Sequence, residues 1–233
     1  MSPLGSGHAA TLADGCMVRN EWVCPEYVQS RQDEILAAVG EHIWITVTSM
    51  VVGTLVAFAL ALSVRRLRRI ENPVLGISTV LYTIPSLALF SLLLPIFGLS
   101  STTVIVGLVL YSLTILVRGV LTGLDGIPAD VHEAAVGMGY GGARLLWQVE
   151  LPLALPTIFA SLRVAAVSTV ALTTVGVVVG HGGLGNLIFQ GLRSNFRPEV
   201  LTASVLCVVL ALLADLVLLG FERMTTPWRR SVA

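Results

Sequence analysis

The chain has 233 residues, 55% hydrophobic and 12% charged, with zero formal net charge and a mean hydropathy of +0.87. Soluble domains average about 45–50% apolar and about 25% charged residues, so this composition excludes an ordinary soluble domain and reads as an all-α integral membrane protein. The balanced charge makes no case for nucleic acid, and the absence of lysine excludes a lysine-bearing phosphate loop or a lysine Schiff base.

Residues 1–30 are polar and glycine- and serine-containing, without the apolar core of a cleavable signal peptide. Cys16 and Cys24 lie in this tail. They can pair if the tail faces an oxidising compartment, or stay as two free thiols. From Pro25 to Glu41, Tyr27, Val28, Ile35, Leu36 and Val39 recur at roughly helical spacing among charged residues. That pattern suits either an amphipathic helix on the membrane surface or a lead-in to the first span. His8, His42, His132 and His181 are scattered singly, and no metal-ligand spacing occurs.

A helix crosses hydrocarbon with about 20 apolar residues. Five segments qualify. The first is His42 to Val64, stopped by Arg65, Arg66, Arg68 and Arg69. The second runs from Val74 to Leu94 with Pro85 inside it, where the missing donor predicts a kink. The third covers Ser101 to Leu121, the fourth Pro156 to Val179, and the fifth Val200 to Phe221. An odd number of spans puts the termini on opposite sides. The arginine bias then places the N-terminus outside. Arg65, Arg66, Arg68, Arg69, Arg144, Arg223, Arg229 and Arg230 face the cytoplasm, against Arg19, Arg31, Arg193 and Arg197 outside. The chain divides into a 1–41 extracytoplasmic tail, a 42–222 membrane domain and a 223–233 cytoplasmic tail.

Small residues repeat every fourth position at Gly53, Ala57 and Ala61, which predicts a close-packing face. Asp215 in the fifth span and Arg163 in the fourth are costly in hydrocarbon, and an interhelical ion pair is the expected use of Asp215. The spans carry no series of acidic residues and histidines of the kind a proton-driven carrier needs.

Between the third and fourth spans the chain turns polar over residues 127–156. Pro128 and Asp130 open a helix with Glu133 in its first turn; Gly137, Gly139, Gly141 and Gly142 end it; Arg144 to Val149 predicts a second short helix. A rigid knob on a membrane protein without a nucleotide site invites a docking partner.

Here the residues carry a resemblance. Glu133-Ala134-Ala135, three residues, Gly139, nine residues and Val149-Glu150-Leu151-Pro152 resemble the EAA motif of binding-protein-dependent ABC importer permeases, with valine for isoleucine the one departure. Tyr82-Thr83-Ile84-Pro85-Ser86 and His181-Gly182-Gly183-Leu184-Gly185 are similar to segments of the glycine betaine/carnitine/choline class, close to the five-span methionine permeases. The resemblance implies a type I importer permease fold in the bacterial inner membrane. It makes 127–156 a coupling loop seated on a separate ATPase dimer that binds ATP and magnesium, so the chain is a transport subunit and not an enzyme. The other implied partners are a second permease subunit and an external substrate-binding protein. Glu133, Ala134, Ala135, Gly139, Leu151 and Pro152 are the coupling residues, and Thr83, Pro85 and Ser86 are candidates to line the pathway.

Quaternary ammonium groups are held by aromatic cages. Tyr82, Phe90, Phe97 and Tyr111 are dispersed in the sequence, so selectivity is expected to lie in the binding protein. The rival readings are the same architecture carrying methionine or another amino-acid derivative, and a secondary transporter or channel without an ATPase. A membrane-embedded enzyme is disfavoured by the lack of paired histidine and acid clusters.

Overall fold

The computed structural model describes residues 15–228, and it is helical almost throughout. His8, Arg229 and Arg230 lie outside the described residues. Helix α1 is Pro25–Ser30 and α2 is Gln32–Arg66. A 3₁₀ turn, Arg68–Ile70, leads to α3, Glu71–Thr83, and α4, Ser86–Phe97. Then come α5, Ser101–Asp125, α6, Ala129–Gly137, and α7, Gly142–Leu145. A π turn, Leu146–Glu150, joins α7 to α8, Leu151–Thr173, which ends in a 3₁₀ stretch, Thr174–Val179. Helices α9, Leu184–Ser194, and α10, Arg197–Thr225, complete the chain.

Helices α2, α5, α8 (with its flanking turns) and α10 are each long and apolar enough to span a membrane. The fifth span is the pair α3–α4, bent by 102° at its junction. Its contacts along α5 show that it crosses and does not turn back. Arg68 pairs with Asp125 at one end of α5 at 2.8 Å. Thr114 Oγ1 donates to the Ser78 carbonyl and Tyr111 OH to the Ile84 carbonyl midway. Thr103 Oγ1 reaches the Gly98 carbonyl at the other end, 2.6 Å away. The segment thus descends α5 residue by residue over about 35 Å. The expected kink at Pro85 is a sharp corner because Ile84, preceding proline, is extended (ψ 128°).

Helix α5 is the centre. Leu113, Leu116, Val117, Val120, Leu121 and Leu124 meet Ala57, Ala61 and Val64 of α2 and Ala154, Ile158 and Ala165 of α8. The predicted small-residue face of α2 is this contact, with Ala57 and Ala61 fully buried. A Cβ at Gly119 would fall on Ser161 of α8, so the backbones of α5 and α8 approach closely there. Helix α10 lies outside, against α8 and α9, and leaves Val205, Val208, Leu212, Leu216 and Val217 exposed. Such a face suits hydrocarbon, not water.

The structure decides between the two readings of residues 25–41 and adds a helix to the 180–199 segment. Residues 32–41 continue directly into the first span, and only α1 is separate, started by Pro25 at its first position. The segment between the fourth and fifth spans holds the helix α9, which its glycine-rich start concealed.

The N-terminal tail is built into the fold. Cys16 and Cys24 form a disulfide. Asn20 accepts from Arg197 N (2.8 Å) and donates to the Asn195 carbonyl (2.7 Å). Tyr27 is buried, edge-on to Phe196 with centroids 5.4 Å apart, and burial beside Glu199 pushes its phenol up to about 12. The tail therefore caps the α9–α10 corner, at the end of the bundle opposite Arg65. Arg193 and Arg197 lie over the rings of Phe189 and Trp22, each at 5.6 Å.

Candidate functional site

At the Arg65 end, α6 stands clear of the spans. Pro128 caps its start, and Asp130 in the first turn complements the helix dipole. Its end is a Schellman motif: Gly139 N donates to the Val136 carbonyl (2.9 Å) and Tyr140 N to the Ala135 carbonyl (3.1 Å). That closure requires Gly139 at φ +88°, a left-handed conformation that favours glycine. Glu133, Ala134 and Gly139 are exposed, whereas Ala135 is buried at 2%. Val136 and Met138 are 51% and 71% exposed beside them. The helix thus presents an apolar, acid-edged face, held clear of the spans by a glycine cap.

Leu151 and Pro152 are half-buried at the start of α8, and Leu151 packs on the main core cluster. The expected second short helix is α7, and it runs without a break through the π turn into α8. The wide turn absorbs the loss of a backbone donor at Pro152, so the proline does not end the helix. Helix α7 and the fourth span thus form one continuous rod, from which the glycine turn at 139–142 separates α6.

Sequence reading missed the group that ties α6 to the bundle. Glu150 is 4% exposed. It takes two hydrogen bonds from Arg65, at 2.7 and 2.8 Å, and meets His132 Nδ1 at 3.2 Å. One carboxylate thus links the end of α2, helix α6 and the start of α8. The signal was available: an acid between Val149 and Leu151-Pro152 enters a buried helix and needs a partner. Arg65→Ala strips both charge-assisted hydrogen bonds from a buried carboxylate and leaves it His132 alone, a loss approaching the roughly 3–5 kcal/mol of a broken buried pair. The purified permease is expected to melt several degrees lower, with Arg65→Leu/Glu150→Leu recovering stability but not transport. Unchanged melting of the single variant would show that the link carries no load.

The other predicted residues lie elsewhere. Thr83 and Pro85 are exposed and Ser86 half-buried at the corner between α3 and α4. Cys16 and Cys24 are at the opposite end of the bundle. The aromatic residues are less dispersed than the sequence suggested: Tyr82 and Tyr111 come together with centroids 5.8 Å apart at 76°. Arg163 holds Asp215 through two hydrogen bonds of 2.7 and 2.8 Å, the expected ion pair, with Glu222 3.9 Å away.

A bundle of membrane-spanning helices with an exposed, capped helix tied to it through Glu150 is the arrangement of a membrane subunit of a transporter. Residues 49–231 match the family described as binding-protein-dependent transport system inner membrane component, and the chain belongs to that family. It is 33% identical over 202 residues to the glycine betaine/carnitine/choline transport system permease of Bacillus subtilis, covering 86% of this chain and 93% of that one. It is 32% identical to an osmoprotectant import permease of Salmonella typhimurium, covering 80% and 89%. Its fold is similar to a chain of the methionine ABC transporter MetNI in an inward-facing conformation, with TM-score 0.67 and 24% identity, covering 79% and 94%.

Proposed function

We propose that this chain forms the translocation pathway of an ATP-driven importer for a quaternary-ammonium osmoprotectant of the glycine betaine, carnitine and choline type, delivered by an external binding protein. The exposed, Schellman-capped helix α6 carries the reading: it presents Glu133, Ala134 and Gly139 clear of the spans, and Glu150 ties it to them. The named specificity of relatives about one-third identical over most of the chain supports the substrate class.

In this reading the N-terminus is outside and the C-terminus inside. The arginine-rich turn at 65–69, the α5–α8 connection and the end of α10 share one end of the bundle, which the arginine bias makes cytoplasmic. The Cys16–Cys24 disulfide lies at the other, oxidising side. Two permease subunits enclose the pathway, and two ATPases, which hold the ATP and magnesium, seat α6 of each. Closure of the ATPases moves α6. The Arg65–Glu150–His132 link and the α7–α8 rod pass that motion to α2 and α8, which rock as rigid bodies. Thr83, Pro85 and Ser86, at the corner of the broken span, line the route.

The test is uptake of radiolabelled glycine betaine, carnitine, choline and methionine in a strain lacking other importers, with ATPase and binding protein co-expressed. ATP-dependent accumulation of the quaternary-ammonium compounds is expected. Accumulation of methionine alone would keep the architecture and overturn the substrate class.

A further inference from the structure

The corner of the broken span is more than a bend. Non-helical backbone within the bilayer is tolerated only where protein buries it or water reaches it. The Ile84 carbonyl is taken by Tyr111 OH, but Thr83 and Pro85 beside it are exposed on the protomer. Tyr82, in the last turn of α3, is 46% exposed, and its ring stands edge-on to Tyr111. Tyr111 is buried at 6% and fixed through its hydroxyl, so it holds the Tyr82 ring in place while one side of that ring stays open.

Tyr111, Thr114 and Arg118 fall on one face of α5, at i, i+3 and i+7, and all three bond to α3 or the corner after it. Arg118 Nη2 donates to Thr79 Oγ1 at 3.0 Å. A guanidinium has five donors. Among the described residues Arg118 forms no ion pair, whereas Arg163, the other arginine inside a span, is paired with Asp215. An ionisable side chain within a span marks a cavity or a pathway, and Arg118 lines an open cavity with Glu71 and Asp125, whose carboxylates Arg68 already holds. Thr79 and Tyr82 are three residues apart on one face of α3, so the residue that holds the cation and the residue that carries the open ring are neighbours on that face.

We propose that the α3–α5 seam is a transient zwitterion site on the translocation route, with Tyr82 taking a quaternary ammonium on its ring face and Arg118 taking a carboxylate. The proposal rests on the osmoprotectant reading and sharpens it. Glycine betaine and carnitine carry both groups and engage both residues. Choline has no carboxylate and engages Tyr82 alone. A desolvated cation–aromatic contact and a charge-assisted hydrogen bond are each of the size that changes a rate by roughly tenfold.

The experiment measures uptake of glycine betaine, carnitine and choline by the complete importer in the same strain, normalised to the amount of permease in the membrane. Arg118→Gln is expected to cut zwitterion uptake roughly tenfold more than choline uptake, with Arg118→Lys recovering part of the difference. Tyr82→Leu is expected to lower uptake of all three, and Tyr82→Phe, which keeps the ring, to retain more than Tyr82→Leu. An equal loss of all three substrates in Arg118→Gln would make Arg118 a packing residue and overturn the proposal, as would full uptake in Tyr82→Leu. If the unmodified importer takes up none of the three, the osmoprotectant reading falls, and the site falls with it.

Discussion

Gly139→Val is expected to abolish ATP-driven uptake while leaving the permease inserted at its normal level. A Cβ at Gly139 would meet no atom within 4 Å, so crowding is not the cause. The cost is conformational: φ is +88°, and a β-branched residue is a genuine outlier there. Strain of this kind is worth about 1–3 kcal/mol. Helix α6 has nine residues, too few for a helix to be stable alone in water. Its two capping bonds at Gly139 and Tyr140 are therefore a large part of what shapes its end. Relaxing φ breaks both bonds and swings Met138 and Tyr140 away from the face that carries Glu133 and Ala134. The spans do not feel the change, because their packing is centred on α5. Gly139→Asn, whose side chain tolerates the left-handed region, is expected to keep more uptake than Gly139→Val.

Glu133→Lys probes the same surface by charge. Glu133 is exposed, so the reversal leaves the fold intact and acts on the partner. Uptake and substrate-stimulated ATP hydrolysis are expected to fall together, with membrane level unchanged. If transport survived both Gly139→Val and Glu133→Lys, α6 would not be the docking element.

The motif was legible because its offsets are local. Glu133, Ala134, Ala135 and Gly139 sit on one helix and its cap, and a nine-residue helix closed by glycine preserves sequence spacing as spatial spacing. The spans were legible because an apolar run of about 20 residues has few alternatives. What escaped notice depends on pairings between distant segments. Pro85 announced a kink, but not that Tyr111, 27 residues beyond Ile84, donates its hydroxyl to the carbonyl freed at the 102° corner. Tyr82 and Tyr111 looked dispersed because antiparallel helices bring together residues that the chain holds far apart. Glu150 read only as a residue within the motif, and Arg65 as one of four clustered positive-inside arginines. Only the fold joins them. Helix α9 was hidden by the glycines at 180, 182, 183 and 185, which precede or open it and mask its apolar periodicity.

Asp215→Leu is expected to remove most of the permease from the membrane, and Arg163→Leu/Asp215→Leu to restore it. The two side chains make a bidentate pair between α8 and α10 at 2.7 and 2.8 Å, each 29% exposed on the protomer. Helix α10 is packed at its start, through Pro198, Glu199 and Ala203 with Leu206, Cys207 and Leu210 beside them, but its most apolar stretch is unburied, so farther along the pair is a main tie to α8. Truncating Asp215 does two things at once. It frees α10 to rotate against α8, and it leaves a guanidinium in hydrocarbon with only Glu222, at 3.9 Å, to turn to. Apolar replacement of both partners removes the uncompensated charge, and two leucines pack between helices as well as an ion pair does. The single and double variants thus separate two roles that the geometry alone leaves joined. Recovery of both membrane level and uptake in the double variant makes the pair a structural clasp. Recovery of level without uptake would mean that α8 and α10 exchange partners during transport, with Arg163 moving between Asp215 and Glu222 as the bundle rocks. No recovery of level in the double variant would overturn the pairing as the reason for the loss.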